Sequence, residues 1–280
     1  MMLKNINIIL TGAGRGIGKV LAQRLDSEGA RLALIARTDE ELQKTLYQLK
    51  NTESFYKICD IANGESVIST FTDISRKFNE KIDVLINNAG VQNPIGPFIE
   101  NKMTDWEKNL KINLFGSLHC IKFVLPYMIK KEYGKIVNLS GGGSTSPRPN
   151  FSAYGVSKTA IVRFTETLAE EIKEYNIDIN AVAPGAINTS MLEEIIHSGK
   201  MAGHEFNEAL KREKSGGNDP KHVAELITFL STSLSDGITG KLISAIWDPW
   251  KDSKYQNILR SDSNIATLRR IDNKYFAGIK

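Results

Sequence analysis

The sequence predicts an α/β protein: a doubly wound parallel sheet of about seven strands with helices on both faces. Two observations carry this prediction, namely short, nearly continuous apolar runs and longer segments of helical apolar spacing between them. Continuous apolar runs are typical of strands buried on both faces of a parallel sheet. Because each helix then forms a crossover between parallel strands, successive helices cover both faces. The predicted strands are 6–11, 31–36, 55–61, 83–90, 134–140, 178–184 and 241–247.

Apolar residues recur three and four positions apart in three segments, which we predict to be helices. These segments are 17–28, 106–130 and 154–174. No linker or repeat divides residues 1–250, which we expect to form a single domain. Segment 190–218 is glycine-punctuated and long for a connection, so we predict a lid or substrate loop there. Residues 251–280 form a polar C-terminal extension, either as a short helix or as a loose segment.

The composition is that of an ordinary globular protein, with 41% apolar and 24% charged residues. The net charge of +4 is mild and scattered, which argues against nucleic-acid binding. Two cysteines, Cys59 and Cys120, fit a reducing compartment, so we expect a cytoplasmic protein. The N-terminal apolar run leads into a glycine turn rather than a cleavage site, and we see no run of about 20 apolar residues that would span a membrane.

A glycine-rich turn, TGAGRGIG (11–18), follows the first predicted strand and opens the first helix. Gly12 permits a tight turn, Gly16 lets the backbone approach a diphosphate, and Gly18 lets helix and strand pack closely. Free N–H groups and the helix dipole favour an anion at this helix N-terminus. A glycine pattern alone is only a turn, but the flanking strand and helix predict a Rossmann-type nucleotide site.

The end of the second strand bears on the choice of nucleotide. Sites that prefer NAD usually carry an acidic residue there for the ribose 2′-hydroxyl, but this chain has Ala36 followed by Arg37. An arginine suits a 2′-phosphate, and Arg15 in the glycine turn adds a second cation. We therefore expect NADP rather than NAD; the alternative is that Arg37 only ends a strand in water. Asp60 is expected at the adenine, unless it only forms a turn.

Five motifs occur together and in order: TGAGRGIG, NNAG (87–90), Asn113 within KINLFG, YGVSK (154–158) and PGAINT (184–189). With these motifs, residues 3–247 resemble the short-chain dehydrogenase/reductase family in its short, single-domain branch. The resemblance implies a nicotinamide-dependent oxidoreductase that interconverts a carbonyl and a secondary alcohol. It also implies a homo-oligomer, dimer or tetramer, built on the long helices that follow Met103 and Tyr154.

Tyr154 and Lys158 are four positions apart and share one face of the predicted helix. A nearby ammonium stabilises phenolate, so we expect the lysine to lower the pKa of the tyrosine and to let it exchange a proton with a carbonyl or an alcohol. The resemblance implies that Lys158 also holds the nicotinamide ribose and that Asn113 carries a water into the proton relay. By itself a Tyr-x-x-x-Lys pair is more often a surface pair, and the other motifs favour catalysis.

The resemblance implies further cofactor contacts. Gly90 is expected to let the cofactor approach, and Pro184, Gly185 and Thr189 to reach the nicotinamide carboxamide, unless they form an ordinary proline turn. We predict no metal site. The residues expected to bind the cofactor are Gly12, Gly14, Arg15, Gly16, Ile17, Gly18, Arg37, Asp60, Ile61, Asn88, Ala89, Gly90, Tyr154, Lys158, Pro184, Gly185, Ile187 and Thr189.

The sequence departs from the family pattern at the catalytic serine. That serine usually stands thirteen residues before the tyrosine, and this chain has Gly141 there. Three replacements are open: Ser140, turned inward by the adjacent glycines; Ser144, reaching back into the site; or backbone N–H groups of the glycine loop, acting as an oxyanion hole. We take Ser140 as the first candidate.

Residues outside the motifs leave further alternatives. Trp247 and Trp250 either line the substrate cleft or a subunit contact, or they pack in the core. The lid carries four cations that either meet an anionic substrate or form a solvated helix face. They are Lys200, Lys211, Arg212 and Lys214. We interpret His197 and His204 as ordinary surface residues.

These patterns predict an NADP-preferring oxidoreductase with Tyr154, Lys158, Asn113 and Ser140 at its catalytic centre. We expect the lid to determine which small carbonyl or alcohol is used, and its sequence does not identify one. Two other functions stay open. One is a non-catalytic nucleotide-binding module on the same fold, which only the displaced serine favours. The other is a cofactor-assisted epimerase or dehydratase.

Overall fold

A single parallel sheet organises the protein, whose computed structural model describes residues 1–271. Its strands are β1 (Asn7–Thr11), β2 (Arg31–Ala36), β3 (Phe55–Ile58), β4 (Val84–Asn87), β5 (Gly134–Leu139), β6 (Ile177–Ala183) and β7 (Leu242–Ser244). They pair in the order β3-β2-β1-β4-β5-β6-β7, and every pairing is parallel. The predicted fold class is confirmed.

Helices cover both faces of this sheet. Within the described residues, the α-helices are α1 (Gly16–Ser27), α2 (Asp39–Leu46), α3 (Gly64–Lys77), α4 (Met103–Leu110), α5 (Gly116–Lys131), α6 (Ser152–Glu171), α7 (Ser190–Ser198), α8 (His204–Ser215), α9 (Pro220–Leu230) and α10 (Ser253–Ser261). Helices α1 and α9 pack together on one face, and α3 and α5 pack together on the other.

The central strands show why two helical layers form. Ile8 and Leu10 of β1 belong to the apolar cluster that includes α1 and α9, whereas Ile9 belongs to the cluster that includes α3 and α5. Successive side chains of a strand point to opposite faces. A strand with large apolar residues at every position must therefore be covered twice, and all three of these side chains are fully buried.

The strand order positions the site. Strands β1 and β4 are neighbours, with β2 and β3 on one side of them and β5, β6 and β7 on the other. The chain builds the sheet outward from β1 to β3 and then returns to the other side of β1 with β4, so the switch point of the strand order lies between β1 and β4. At such a switch point the loops leave the carboxyl ends of the strands in opposite directions and open a crevice. The predicted glycine turn follows β1 directly at this crevice.

One described helical stretch is long and apolar enough to cross a membrane by length and composition. It is Met103–Lys131, 29 residues long, and an 18-residue window within it has a mean hydropathy of 1.4. A π-helical turn, Lys111–Phe115, joins α4 to α5 in this stretch. The sequence expectation of no span rested on an uninterrupted apolar run, which charged residues break here. Cys120, Val124 and Met128 are fully buried against the sheet. Core packing thus accounts for the apolar character of this side of the helix.

The predicted lid, 190–218, contains helices α7 and α8. Leu192 of α7 and Ala209 of α8 are buried in a small apolar cluster that also contains Phe151 and Tyr154. The two helices therefore pack over the start of α6, at the carboxyl edge of the sheet. This contact makes the lid one wall of the crevice.

The C-terminal extension packs on the fold. Helix α10 begins where the Asp252 side chain accepts a hydrogen bond from the Lys254 N–H. Beyond α10 the chain runs beside β7, where the Leu242 N–H donates to the Ala266 carbonyl oxygen at 2.7 Å. The short-helix alternative is therefore the one observed, with the helix starting earlier than the ILRSDSNIATLRRI stretch. The end of the predicted extension, 272–280, lies outside the described residues.

A buried ion cluster joins the amino ends of β5 and β6. The Lys135 side chain is 2% exposed, and its Nζ lies 2.6 Å from a carboxylate oxygen of Asp178 and 2.6 Å from one of Asp236. Burial raises the pKa of the Asp178 carboxyl, and the Lys135 charge lowers it. Each buried charge depends on its partner, because removing one would leave the other unpaired in a poorly solvated place.

Candidate active site

A cavity of about 1020 Å³ opens at the carboxyl ends of the strands. Its walls are the glycine turn, the loops after β2 to β6, and the two lid helices. The predicted site residues that line it are Gly12, Gly14, Arg15, Gly16, Ile17, Arg37, Asp60, Ile61, Asn88, Ala89, Gly90, Ser140, Ser144, Tyr154, Lys158, Pro184, Gly185, Ile187 and Thr189. Gly18 and Asn113 lie behind this wall and support it.

The glycine turn has the backbone that its sequence predicts. Gly12 has a φ of +65°, and a Cβ there would lie 2.7 Å from the Ala89 Cα. A Cβ at Gly18 would lie 2.0 Å from the Gly12 carbonyl oxygen, so helix α1 can approach the turn only with glycine at that position. The Asn88 side-chain amide holds the turn by donating to the carbonyls of Thr11 and Gly12, both at 3.0 Å.

The start of α1 fits a diphosphate. Gly16 has a φ of +54°, and a Cβ there would meet nothing closer than the Thr189 Cγ2 at 3.4 Å, so the backbone faces open cavity. The first turn of α1 reads Gly-Ile-Gly-Lys, and Arg15 precedes it. Free N–H groups of a helix start favour a bound anion.

Two arginines and one carboxylate line the nucleotide end of the cavity. Arg37 is exposed directly after β2, and the Arg15 side chain is 64% exposed. Glu41 of α2 has no counterpart in the sequence prediction. Its carboxylate lies 3.8 Å from the Arg15 guanidinium, and its Cβ is 2.8 Å from where a Gly14 Cβ would stand. The missing side chain of Gly14 thus admits an acidic residue to this wall.

The loops after β3 and β6 carry the remaining predicted nucleotide-binding residues. Asp60 lines the cavity and also accepts a hydrogen bond from the Ala62 N–H at 3.1 Å, so it forms a turn as well. Thr189 caps α7 by accepting from the Met191 N–H. Gly185 has a φ of +80°, and a Cβ there would lie 2.6 Å from the Ile246 side chain. The Pro-Gly turn therefore requires glycine on both conformational and steric grounds.

Tyr154 and Lys158 lie together in the wall of the cavity. The Lys158 Nζ is 5.6 Å from the centroid of the Tyr154 ring and donates to the Leu139 carbonyl oxygen at 2.8 Å. Burial lowers the pKa of the Lys158 ammonium to about 8. Burial also raises the pKa of the Tyr154 phenol, and the cation that lowers it is Arg148. The structure therefore differs from the expectation that the lysine lowers the pKa of the tyrosine, because desolvation outweighs attraction.

Asn113 is held rigidly in the π-helical turn between α4 and α5. Its side-chain oxygen accepts from the Val91 N–H at 2.8 Å, and its amide donates to the Val91 carbonyl at 2.7 Å and to the Ser157 hydroxyl at 3.0 Å. A Cβ at Gly90 would lie 3.1 Å from the Asn113 Oδ1 and 3.5 Å from the Lys158 Nζ. The absence of a side chain at Gly90 thus lets the backbone pass close to both groups.

Gly141 stands directly against the tyrosine. A Cβ at Gly141 would lie 2.3 Å from the Tyr154 hydroxyl oxygen, so the phenol occupies the space that a serine side chain would need. The Ser140 hydroxyl is buried and donates to the Lys158 carbonyl oxygen at 3.4 Å. The Ser144 N–H donates to the Gly141 carbonyl at 3.3 Å. Ser140 therefore contacts the backbone of α6.

An ion pair between the glycine loop and the lid was not predicted. Arg148 makes two hydrogen bonds of 2.5 Å to the Glu205 carboxylate of α8. The arginine stands between two prolines in SPRPN, which gives no sign of its partner 57 residues away. The predicted lid cation Arg212 lines the cavity, whereas Lys211 pairs with Glu208 on the exposed side of α8.

The two tryptophans have different surroundings. Trp247 lines the cavity and is 69% exposed. Trp250 is buried, and its ring packs against Phe229 with centroids 5.8 Å apart. Of the predicted alternatives, Trp247 thus lines the cleft and Trp250 packs in the core. Across residues 1–271, no group of three or more His, Cys, Asp or Glu side chains is arranged to hold a metal ion.

Comparison with known proteins gives the family. A short chain dehydrogenase family model matches residues 6–200. The 3-oxoacyl-[acyl-carrier-protein] reductase FabG of Aquifex aeolicus is 30% identical over 238 residues, which cover 84% of this chain and 93% of that protein. Dehydrogenase/reductase SDR family member 4 of Caenorhabditis elegans is 31% identical, over 84% of this chain and 91% of that protein. The chain belongs to the short-chain dehydrogenase/reductase family.

Solved structures agree with this assignment. NAD+-bound xylitol dehydrogenase matches with a TM-score of 0.80 and 30% identity, over 87% of this chain and 98% of that chain. An actinorhodin polyketide ketoreductase with NADPH matches with a TM-score of 0.79 and 27% identity, over 87% of this chain and 97% of that chain. The family membership defines the protein as an NAD(P)-dependent oxidoreductase of carbonyls and alcohols.

Proposed function

We propose that Tyr154 is the proton donor and acceptor of a carbonyl–alcohol interconversion in this cavity, with NADP as the preferred cofactor. The observation that carries this proposal is the position of the phenol. It lines the same cavity as the glycine turn, beside Lys158 and directly against Gly141. A phenol placed this way gives a proton to a carbonyl oxygen in reduction, and its phenolate takes a proton from an alcohol in oxidation.

A nicotinamide cofactor, when bound, would supply or accept the hydride at the substrate carbon. Around it, each residue of the chain has a separate task. Because burial raises the pKa of Tyr154, the resting phenol holds its proton and is ready for reduction. Lys158, which donates to the Leu139 carbonyl, would hold the nicotinamide ribose. Asn113, fixed by Val91, keeps the π-helical turn in place, where a water can connect Lys158 to solvent.

The phenol is tested by Tyr154→Phe, which removes one oxygen and keeps the ring. We expect loss of NADPH-dependent reduction across a panel of ketones and aldehydes, with unchanged NADPH affinity. Tyr47→Phe is the matched control, because Tyr47 is 92% exposed. Full activity of Tyr154→Phe would refute the proposal. Binding of NADPH by the wild type without reduction of any carbonyl would favour the nucleotide-binding module. Product without net cofactor turnover would favour an epimerase or dehydratase.

The preference for NADP rests on Arg37 and Arg15, two cations at the end of the cavity where the ribose 2′-position is expected. Glu41 beside Arg15 is the observation that favours NAD. We expect Arg37→Gln to weaken NADPH binding by about tenfold and to leave NADH binding unchanged, because only the phosphate makes a charge-assisted contact. Arg76→Gln, on the surface of α3, is the control. An equal loss for both cofactors, or tighter binding of NADH by the wild type, would refute the preference.

The substrate is proposed only as a small carbonyl or alcohol. The similar proteins are named for different substrates, among them 3-oxoacyl-[acyl-carrier-protein], xylitol and levodione. We also propose a homo-oligomer assembled on the outer side of the Met103–Lys131 helix, where Met103 and Phe115 are 53% and 48% exposed. Light scattering of the wild type and of Phe115→Glu tests this, and an unchanged mass would refute it.

A further inference from the structure

A cation outside the family motifs lies against the Tyr154 ring. The Arg148 guanidinium carbon is 5.3 Å from the centroid of that ring and 3.9 Å from the centroid of the Phe151 ring. The Arg148 side chain is only 16% exposed and lines the cavity. Its distance from the phenol ring is close to that of the Lys158 Nζ, at 5.6 Å. Tyr154 therefore has two cationic neighbours instead of one.

The three glycines of the loop make this arrangement possible. A Cβ at Gly141 would collide with the Tyr154 hydroxyl, as described above. Gly143 has a φ of +91°, and a Cβ there would lie 3.1 Å from the Arg148 Cβ. A Cβ at Gly142 would lie 3.7 Å from the Arg148 Cδ, an ordinary contact. The glycine run thus holds the phenol on one side and the arginine side chain on the other.

The lid holds the arginine in place. Both 2.5 Å hydrogen bonds of Arg148 go to the two carboxylate oxygens of Glu205, which is on α8. Such a two-pronged pair fixes the plane of a guanidinium as well as its position. The position of the cation relative to Tyr154 therefore depends on the docking of the lid.

The charged groups of every element packed around the phenol define its electrostatic surroundings. They are Lys158 on α6, Arg148 on the glycine loop, Glu194 on α7, and Glu205, Glu208 and Arg212 on α8. Lys158 loses its charge as the pH rises through its pKa of about 8. An arginine stays charged at any pH at which a tyrosine ionises. Arg148, the arginine that lies against the Tyr154 ring, therefore remains a cation beside the phenolate in alkaline solution.

We propose that Arg148, held by Glu205 of the lid, positions and stabilises the Tyr154 phenolate in this protein, in place of the serine that is absent at Gly141. The inference rests on the proposed role of Tyr154 in proton exchange. Arg148 acts through the tyrosine and is a positioning residue. Its charge lowers the pKa of Tyr154, whereas the Glu205 charge raises it. The two ends of one ion pair thus act on the phenol with opposite signs.

This opposition gives the test, which uses the full chain without cofactor or substrate. NMR of ring-labelled tyrosine follows each phenol through a pH titration, and loss of one signal in Tyr154→Phe assigns Tyr154. We expect Arg148→Met to raise the pKa of Tyr154 by about one unit, a tenfold loss of phenolate at a given pH, and Glu205→Gln to lower it. Arg148→Lys is also expected to raise the pKa of Tyr154, because a lysine in this poorly solvated place loses its charge at the pH at which Tyr154 ionises.

Arg24→Met is the matched control, because Arg24 pairs with Glu28 at 2.9 Å at the carboxyl end of α1. It should leave the Tyr154 titration unchanged. The proposal would be overturned if the pKa of Tyr154 were unchanged in folded Arg148→Met. It would also be overturned if Arg148→Met and Glu205→Gln shifted that pKa in the same direction. The ion pair would then be only a structural link between the glycine loop and the lid. If Arg148→Met does not fold, Arg148→Lys and Glu205→Gln decide. The titration needs no turnover, so its result is independent of the carbonyl-reduction assay that tests the proposed function.

Discussion

The substitution Gly141→Ser introduces the side chain that the family usually carries and this chain lacks. In the structure its Cβ would lie 2.3 Å from the Tyr154 hydroxyl oxygen and 3.1 Å from the Tyr154 Cζ. Nonbonded heavy atoms prefer separations of about 3.5 Å, so the phenol or the loop must move by about 1 Å. A displacement of about 1 Å at a reacting group costs about 10²-fold in rate. Restoring the serine is therefore expected to inactivate the protein.

The measurement is kcat for the carbonyl that the wild type reduces fastest, followed by nicotinamide absorbance, together with NADPH affinity and thermal unfolding. We expect kcat to fall about 10²-fold with NADPH affinity retained, and stability to fall by about 1–3 kcal/mol from overpacking. Gly142→Ser is the matched control, because its Cβ would meet its nearest neighbour at 3.7 Å. Neither glycine has a left-handed backbone, so strain does not distinguish them. Gly141→Ser activity equal to that of Gly142→Ser would refute the reasoning.

Three further predictions concern stability. The pKa of Lys158 is about 8 in the folded protein and 10.5 in the unfolded chain. Between these pH values the unfolded chain binds more protons, so the free energy of unfolding of the wild type should rise with pH, by about 3 kcal/mol in total. Denaturant unfolding at a series of pH values measures this rise, which should vanish in Lys158→Met. Lys135→Met should cost about 3–5 kcal/mol near neutral pH, because Asp178 is left buried and unpaired, and a loss below about 1 kcal/mol would contradict this. Trp250→Ala should cost about 3–5 kcal/mol in urea unfolding, whereas exposed Trp247→Ala should cost little; equal losses would contradict the assigned surroundings.

The sheet was predictable because its central strands contain apolar runs that leave no polar face. Runs such as Ile8-Ile9-Leu10 leave no polar face, and only a sheet covered twice accommodates them. The nucleotide turn was predictable for a similar reason: the backbone conformation of Gly12 and the close approach at Gly18 admit no other residue. In each case one local stretch of sequence carries the whole constraint.

The electrostatics of the site were not predictable in this way. The spacing of Tyr154 and Lys158 suggested a lysine that lowers the pKa of the tyrosine, but the burial of both groups has the larger effect. Arg148 and Glu205 meet only because the lid folds back over the glycine loop, and no local pattern records a contact of that range. The glycine at position 141 showed that the sequence departs from the family pattern. It did not show that the Tyr154 phenol occupies the space that a serine side chain would need.

The chain beyond α10 limits how two copies can meet. An uncovered border strand offers its free backbone groups to any neighbouring chain. Here the Ala266 carbonyl accepts from the Leu242 N–H. The Lys241 ammonium donates to the carbonyls of Asp262 and Ile265 at 2.5 and 3.0 Å. The C-terminal segment of the same chain therefore covers the β7 edge of the sheet. Two copies cannot pair through their β7 strands unless this C-terminal segment dissociates. Deleting the segment would expose β7 as an edge strand able to pair with another chain.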